Sequence, residues 1–85
     1  MPSISTFYGI IIAMFFDDHV PAHFHAFYQD AEATFNLDGE MLKGDMPKKQ
    51  QKLIEAWAII HQEELNKNWE LAKNNHEINK IEPLK

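Results

Sequence analysis

The stretch Glu32-Ala33-Thr34-Phe35-Asn36-Leu37-Asp38-Gly39-Glu40-Met41-Leu42 decides how this chain folds. Ala33, Phe35 and Leu37 alternate with polar neighbours, the period-two pattern of a strand with one buried face. Asp38-Gly39 follows, a dipeptide that supplies the positive φ angles of a two-residue type I′ hairpin. Such a loop sets the register. Leu37 would face Glu40, Asn36 would face Met41 and Phe35 would face Leu42, which places two core-sized side chains opposite each other. An antiparallel sheet is the expected framework.

Reading back from the hairpin, Gln29 and Asp30 form a turn. Before it, Phe24, Ala26 and Tyr28 alternate with His23, His25 and Phe27, so a second strand carries an imidazole face. Pro21 makes a corner. Residues 7–16, Phe-Tyr-Gly-Ile-Ile-Ile-Ala-Met-Phe-Phe, are rich in β-branched and aromatic residues and read as one strand with two apolar faces. Tyr8, Ile10, Ile12, Met14 and Phe16 line one face; Phe7, Ile11, Ala13 and Phe15 line the other. Residues 1–6 read as a lead-in. One helix covers only one face of so small a sheet, so Ile11 and Phe15 are expected to meet a partner chain or the C-terminal segment.

Reading forward, Gly44-Asp45-Met46-Pro47 closes the sheet and opens a helix, with proline at the first helical position and Met46 or Asp45 as its cap. After Pro47 no glycine or proline interrupts the chain as far as Asn74. Leu53, Trp57 and Ile60 form one apolar stripe. Leu65, Trp69 and Ala72 form a second, rotated from the first by roughly 120° at about 100° per residue. A kink or break is expected at residues 61–64, after which Leu65 and Trp69 turn to a different neighbour, a partner subunit being one option. Residues 75–85 form a tail that the pattern leaves unassigned. The expected fold is α+β: an antiparallel sheet of about four strands, then a C-terminal helical segment of one kinked helix or two on one face. The chain reads as a single domain over residues 1–85, with the sheet in 7–44 and the helical part in 46–74.

Composition narrows the function classes. Eighty-five residues bury only about 60% of their unfolded surface. The absence of cysteine excludes a disulfide framework and a thiolate nucleophile, and fits a reducing cytoplasm. No run is long enough to span a bilayer. The net charge is −5 and all eight basic residues are lysine. Without arginine's planar fork the bidentate grip on phosphates and guanine edges is missing, so nucleic acid is disfavoured. Lys48, Lys49 and Lys52 read as a solvated helix face.

One segment is chemically loaded: Asp17-Asp18-His19-Val20-Pro21-Ala22-His23-Phe24-His25. His23 and His25, two apart on a strand, project from one face about 6.5–7 Å apart at Cα. With His19 and Asp18 folded back by Pro21 they make a candidate metal site, and imidazole plus carboxylate suits zinc, nickel or ferrous iron. The competing reading is structural, with imidazoles bonded to backbone carbonyls. A histidine beside Asp17 or Asp18 also suits acid–base work, but no nucleophile accompanies it, and no catalytic residue is assigned.

The order of motifs is itself distinctive: Met1-Pro2-Ser3-Ile4-Ser5, Phe7-Tyr8-Gly9-Ile10, Asp18-His19, Pro21, His23-Phe24-His25, Pro47-Lys48-Lys49, Trp57-Ala58, His61 and Asn68-Trp69. It resembles the bacterial domain-of-unknown-function family DUF4160 from Met1 to about Ala72. The resemblance implies a small stand-alone cytoplasmic protein, often encoded beside another short protein and counted among candidate toxin–antitoxin modules. It carries His19, Pro21, His23, Phe24 and His25 over as the central motif without assigning their role. Where relatives often place arginines, this chain has Ala13, Lys48 and Lys49, which weakens any phosphate grip.

Together these readings predict an interaction protein of a two-gene, toxin–antitoxin-like module. Its expected partner is a protein encoded nearby, a second copy of the chain, or both, met through Trp69, Leu65, Ile11 and Phe15. The alternative is a metal-dependent hydrolase or nuclease using His19, His23, His25 and Asp18.

Overall fold

In the computed structural model, which describes residues 3–15 and 21–85, Tyr8 and Gly9 have φ angles of 50° and 79°. Two successive positive angles make the tight loop whose twist matches that of antiparallel strands. The chain therefore reverses inside the run that reads as one strand, and Phe7 pairs with Ile10. The supposed lead-in becomes strand β1 (Ser3–Phe7), and β2 is the shorter Ile10–Ala13. Strands β3 (His23–Tyr28), β4 (Ala31–Asn36) and β5 (Met41–Gly44) follow. All five pair antiparallel in chain order. The α+β class is as expected, with five strands instead of about four.

The reversal also moves Phe7 to the other face. Opposite Ile10, it joins Ile12, Phe24, Ala26, Ala33 and Phe35 in the core. The second face of β2 keeps Ile11, Ala13 and Phe15.

The Asp38-Gly39 hairpin exists with a longer loop than the dipeptide alone suggests. The Gly39 amide donates to the Asn36 carbonyl at 3.0 Å and the Asn36 amide to the Glu40 carbonyl at 2.9 Å, so the loop comprises Leu37, Asp38 and Gly39. Of these three only Gly39 has positive φ, at 90°. This is the three-residue hairpin that ends in a left-handed glycine. Asn36 selects it, because its Oδ1 accepts from both the Asp38 and Glu40 amides, at 3.0 and 2.9 Å. Leu37 is then buried in the core instead of pairing with Glu40. Phe35 faces Met41, and a bulge follows between there and the Thr34–Lys43 pair. Short, bulged and carrying Lys43, the exposed edge strand β5 has three features that discourage edge-to-edge association.

Helix α1 (Lys48–Ile60) begins one residue later than expected, with Pro47 itself as the capping residue at φ −57°. Its buried residues are Gln50, Ile54, Trp57 and Ala58. Ile60, assigned above to the core stripe, is 65% exposed beside Ile59 at 61%. At about 100° per residue Ile60 lies well to the side of the line from Ile54 to Ala58 that meets the sheet. Trp57 is the centre of the contact, with ring centroids 5.4 Å from Phe7 and 5.7 Å from Phe24.

The break falls at His61, where φ −109° and ψ 28° separate α1 from α2 (Gln62–Lys73). Helical hydrogen bonds continue through it, from the His61 amide to Trp57 and from the Leu65 amide to His61, at 3.0 and 2.9 Å. The result is a kink between two helices. Leu65, Trp69 and Ala72 do turn to a different neighbour, but it lies within the same chain: all three are buried in the hydrophobic core formed among the described residues. Leu65 and Trp69 are accordingly unavailable as the partner surface they were expected to form.

What lets the second stripe stay at home is the tail. Helix α2 ends in a left-handed Asn75 (φ 60°), with the His76 amide bonded to the Leu71 carbonyl and the Asn75 amide to Ala72, at 2.8 and 3.1 Å. This Schellman arrangement sends the chain back. Asn68, fully buried, donates to the Asn79 carbonyl at 2.8 Å and accepts from its amide at 3.0 Å. The Ile81 amide then donates to the Ile4 carbonyl on β1 at 2.8 Å, and the Trp57 indole donates to the Glu82 carbonyl at 2.8 Å. Replacing Asn68 with alanine removes both bonds to the tail and is expected to cost about 1–3 kcal/mol. Amide exchange at Ile81 should accelerate with it. Unchanged protection there would show that the tail is held by its apolar contacts alone.

Candidate functional site

Strand alternation puts His23, His25 and Phe27 on the sheet face opposite the core residues Phe24 and Ala26. Ala13 of β2 and Thr34 of β4 flank His25, while Ile11 and Glu32 flank Phe27. Both histidines are half-buried, as are Ile11, Phe15 and Phe27. Ile11, Phe15 and Phe27 stand outside the core cluster formed among the described residues.

Four rings form a row that starts at Trp69 in the core and runs onto this face. Trp69 lies 5.4 Å from His23, His23 lies 5.1 Å from His25 with the planes at 71°, and His25 lies 4.7 Å from Phe15, centroid to centroid. Trp69, supplied by α2 and nearly buried, anchors one end. The His23 Nδ1 lies 2.7 Å from the Pro21 carbonyl oxygen. That contact is a hydrogen bond when Nδ1 carries the proton, and it leaves the lone pair of the neutral ring on Nε2.

Of the four residues expected to ligate a metal, the structure brings His23 and His25 side by side. His19 and Asp18 lie outside the described residues. Among the described residues no group of three or more histidine, cysteine, aspartate or glutamate side chains is placed to hold a metal ion. Of the expected partner residues, Ile11 and Phe15 remain on the outer face, and Leu65 and Trp69 are in the core. Sequence reasoning missed one member of the site, Phe27, although alternation made it legible, since it shares parity with His23 and His25. Trp69 was expected on a partner surface, and its place against His23 was not legible, because only the kink and the returning tail bring α2 to the start of β3.

Elsewhere His61 lies against Trp57 at 5.8 Å between centroids and contacts Glu64 at 2.6 Å, Nδ1 to Oε1, which fits a helix-junction role. Lys48 and Lys52 line a shallow groove of about 250 Å³ together with Glu40, Met41, Gln51 and Glu55, so their charge is locally balanced. No helix among the described residues is long and apolar enough to cross a membrane.

Residues 9–70 match the model of a protein family described as a domain of unknown function, DUF4160. No curated protein and no solved structure matches the chain.

Proposed function

Because the chain belongs to the DUF4160 family, whose description names no activity, we propose from the geometry that it is a protein-interaction component of a two-gene, toxin–antitoxin-like module. The observation that carries this reading is the outer sheet face. A solvated face of an antiparallel sheet ordinarily alternates to polar residues. Here Ile11 and Phe27 are direct cross-strand partners, and Phe15 lies against His25 on the same face. Half-buried apolar side chains that lie outside the core cluster of the described residues are what an interface is made from.

The partner in this reading is a protein encoded beside this one, a second copy of the chain, or both. A cytoplasmic setting suits a chain without cysteine. Size-exclusion chromatography with light scattering, on the protein alone and co-expressed with its genomic neighbour, tests it. The expected result is a mass above that of the 9.9 kDa chain or a co-eluting complex. The Ile11→Lys, Phe27→Lys double variant, checked as folded by circular dichroism, should return to the monomer mass. A wild-type monomer indifferent to the neighbour overturns the proposal.

A further inference from the structure

We propose that the groove between the end of α1 and the tail docks a basic, amphipathic segment of a partner protein. The most exposed large apolar side chains among the described residues are Ile60 at 65% and Ile59 at 61%. They are neighbours at the last turn of α1, where the helix meets the kink. Opposite Ile60 the returning tail supplies Pro83 and Leu84, and together they wall a groove of about 450 Å³. Leu84 is half-buried against the core, whereas Ile60 is left exposed. The walls are fixed before anything binds, since the Trp57 indole holds the Glu82 carbonyl and the Ile81 amide is tied to Ile4 on β1, both at 2.8 Å. A preformed groove spares a partner the cost of ordering it.

Charge selects the occupant. Glu63 and Glu64 follow Ile60 by one turn, and Glu82 and Lys85 line the groove itself. Glu64 contacts His61 at 2.6 Å and Glu82 lies 3.8 Å from Lys85, whereas Glu63 has no ion-pair partner among the described residues. With His61 neutral, carboxylates outnumber cations at this rim, in a chain whose net charge is −5. A second copy of the chain would set the same carboxylates against each other. A segment that offers an apolar side chain to Ile60 and Leu84 and lysine or arginine to the rim satisfies both features, as amphipathic helices do when they lie in apolar grooves. The apolar contact supplies the affinity and the exposed charges supply the selectivity. This site is separate from the Ile11–Phe27 face, because α1 packs through Trp57 on the other side of the sheet, and it stands or falls independently.

Two synthetic helical peptides of about 18 residues test the site, one with a leucine stripe and lysine elsewhere, the other with the same stripe and glutamate elsewhere. Each is titrated into isotope-labelled protein and followed by amide NMR. The lysine peptide should saturate below about 1 mM, with shifts centred on Ile59, Ile60 and Leu84, and the glutamate peptide should bind at least about tenfold more weakly. The Ile59→Ser, Ile60→Ser double variant alters only exposed positions, so it should fold as wild type by circular dichroism and lose at least about tenfold in affinity for the lysine peptide. The Glu63→Lys, Glu82→Lys double variant should exchange the preference between the two peptides. Failure to saturate, equal affinity for both peptides, shifts confined to the Ile11–Phe27 face, affinity unchanged in the serine variant, or a dimer that forms through Ile59 and Ile60 without peptide would each overturn the proposal.

Discussion

Replacing Trp57 with alanine is expected to remove about 3–5 kcal/mol of stability, the usual cost of deleting a large buried aromatic. Trp57 is fully buried and touches both halves of the sheet core, through Phe7 on β1 and Phe24 on β3. Its indole N–H also donates to the Glu82 carbonyl at 2.8 Å, so the same side chain ties the tail to α1. Domains are stable by only about 0.05–0.15 kcal/mol per residue, so this one substitution consumes much of what holds 85 residues folded. Trp57→Phe keeps most of the ring packing and loses the hydrogen bond, and should cost about 1–2 kcal/mol. Urea unfolding followed by far-ultraviolet circular dichroism measures both. A loss under about 1 kcal/mol for the alanine variant would mean that the helix is not held to the sheet through this residue.

The second large effect is expected at Gly39. An alanine there meets two penalties. Its φ of 90° is a backbone conformation that L side chains rarely adopt, and the added Cβ would stand 2.7 Å from the Glu55 Cα. The obstacle is helix backbone, which cannot swing aside as a flexible side chain would. The left-handed angle costs about 1–2 kcal/mol, and forcing the hairpin off α1 adds about 1–3 kcal/mol. Gly9 supplies the internal control. It has a similar φ of 79°, but its Cβ would meet only the Tyr28 ring at 3.4 Å, an ordinary contact. Gly9→Ala should therefore show the conformational penalty alone, about 1–2 kcal/mol. Equal losses for the two variants would show that the hairpin does not press on the helix.

These two residues mark the boundary between local and tertiary information. Period-two alternation placed β3 and β4, because burying one face of a sheet constrains every second residue whatever lies elsewhere in the chain. The change of stripe between Trp57 and Leu65 located the break within residues 61–64, because helical rotation is fixed per residue, and the structure has it at His61. The His23–His25 pair was legible for the same local reason: two residues of equal parity on one strand share a face.

The turns were less legible. Tyr8-Gly9 carries the double positive φ assigned to Asp38-Gly39, since a single glycine inside a β-rich run leaves open whether the strand continues or reverses. At Asp38-Gly39 the side chain of Asn36, two residues upstream, chose the longer loop.

What the amino-acid sequence determined by itself was the class of the fold, the parity of the histidine strand and the kink, all consequences of fixed backbone periods. What only the tertiary structure decided was which apolar surfaces the chain uses up. Leu65, Trp69 and Ile81 find their partners through a tail whose path depends on Asn68, Ile4 and Trp57, residues far away along the chain. Periodicity says that a face must be covered. Only the closing of distant segments says by what, and among the described residues that closure leaves Ile11 and Phe27 half-buried outside the core, on the face that carries His23 and His25.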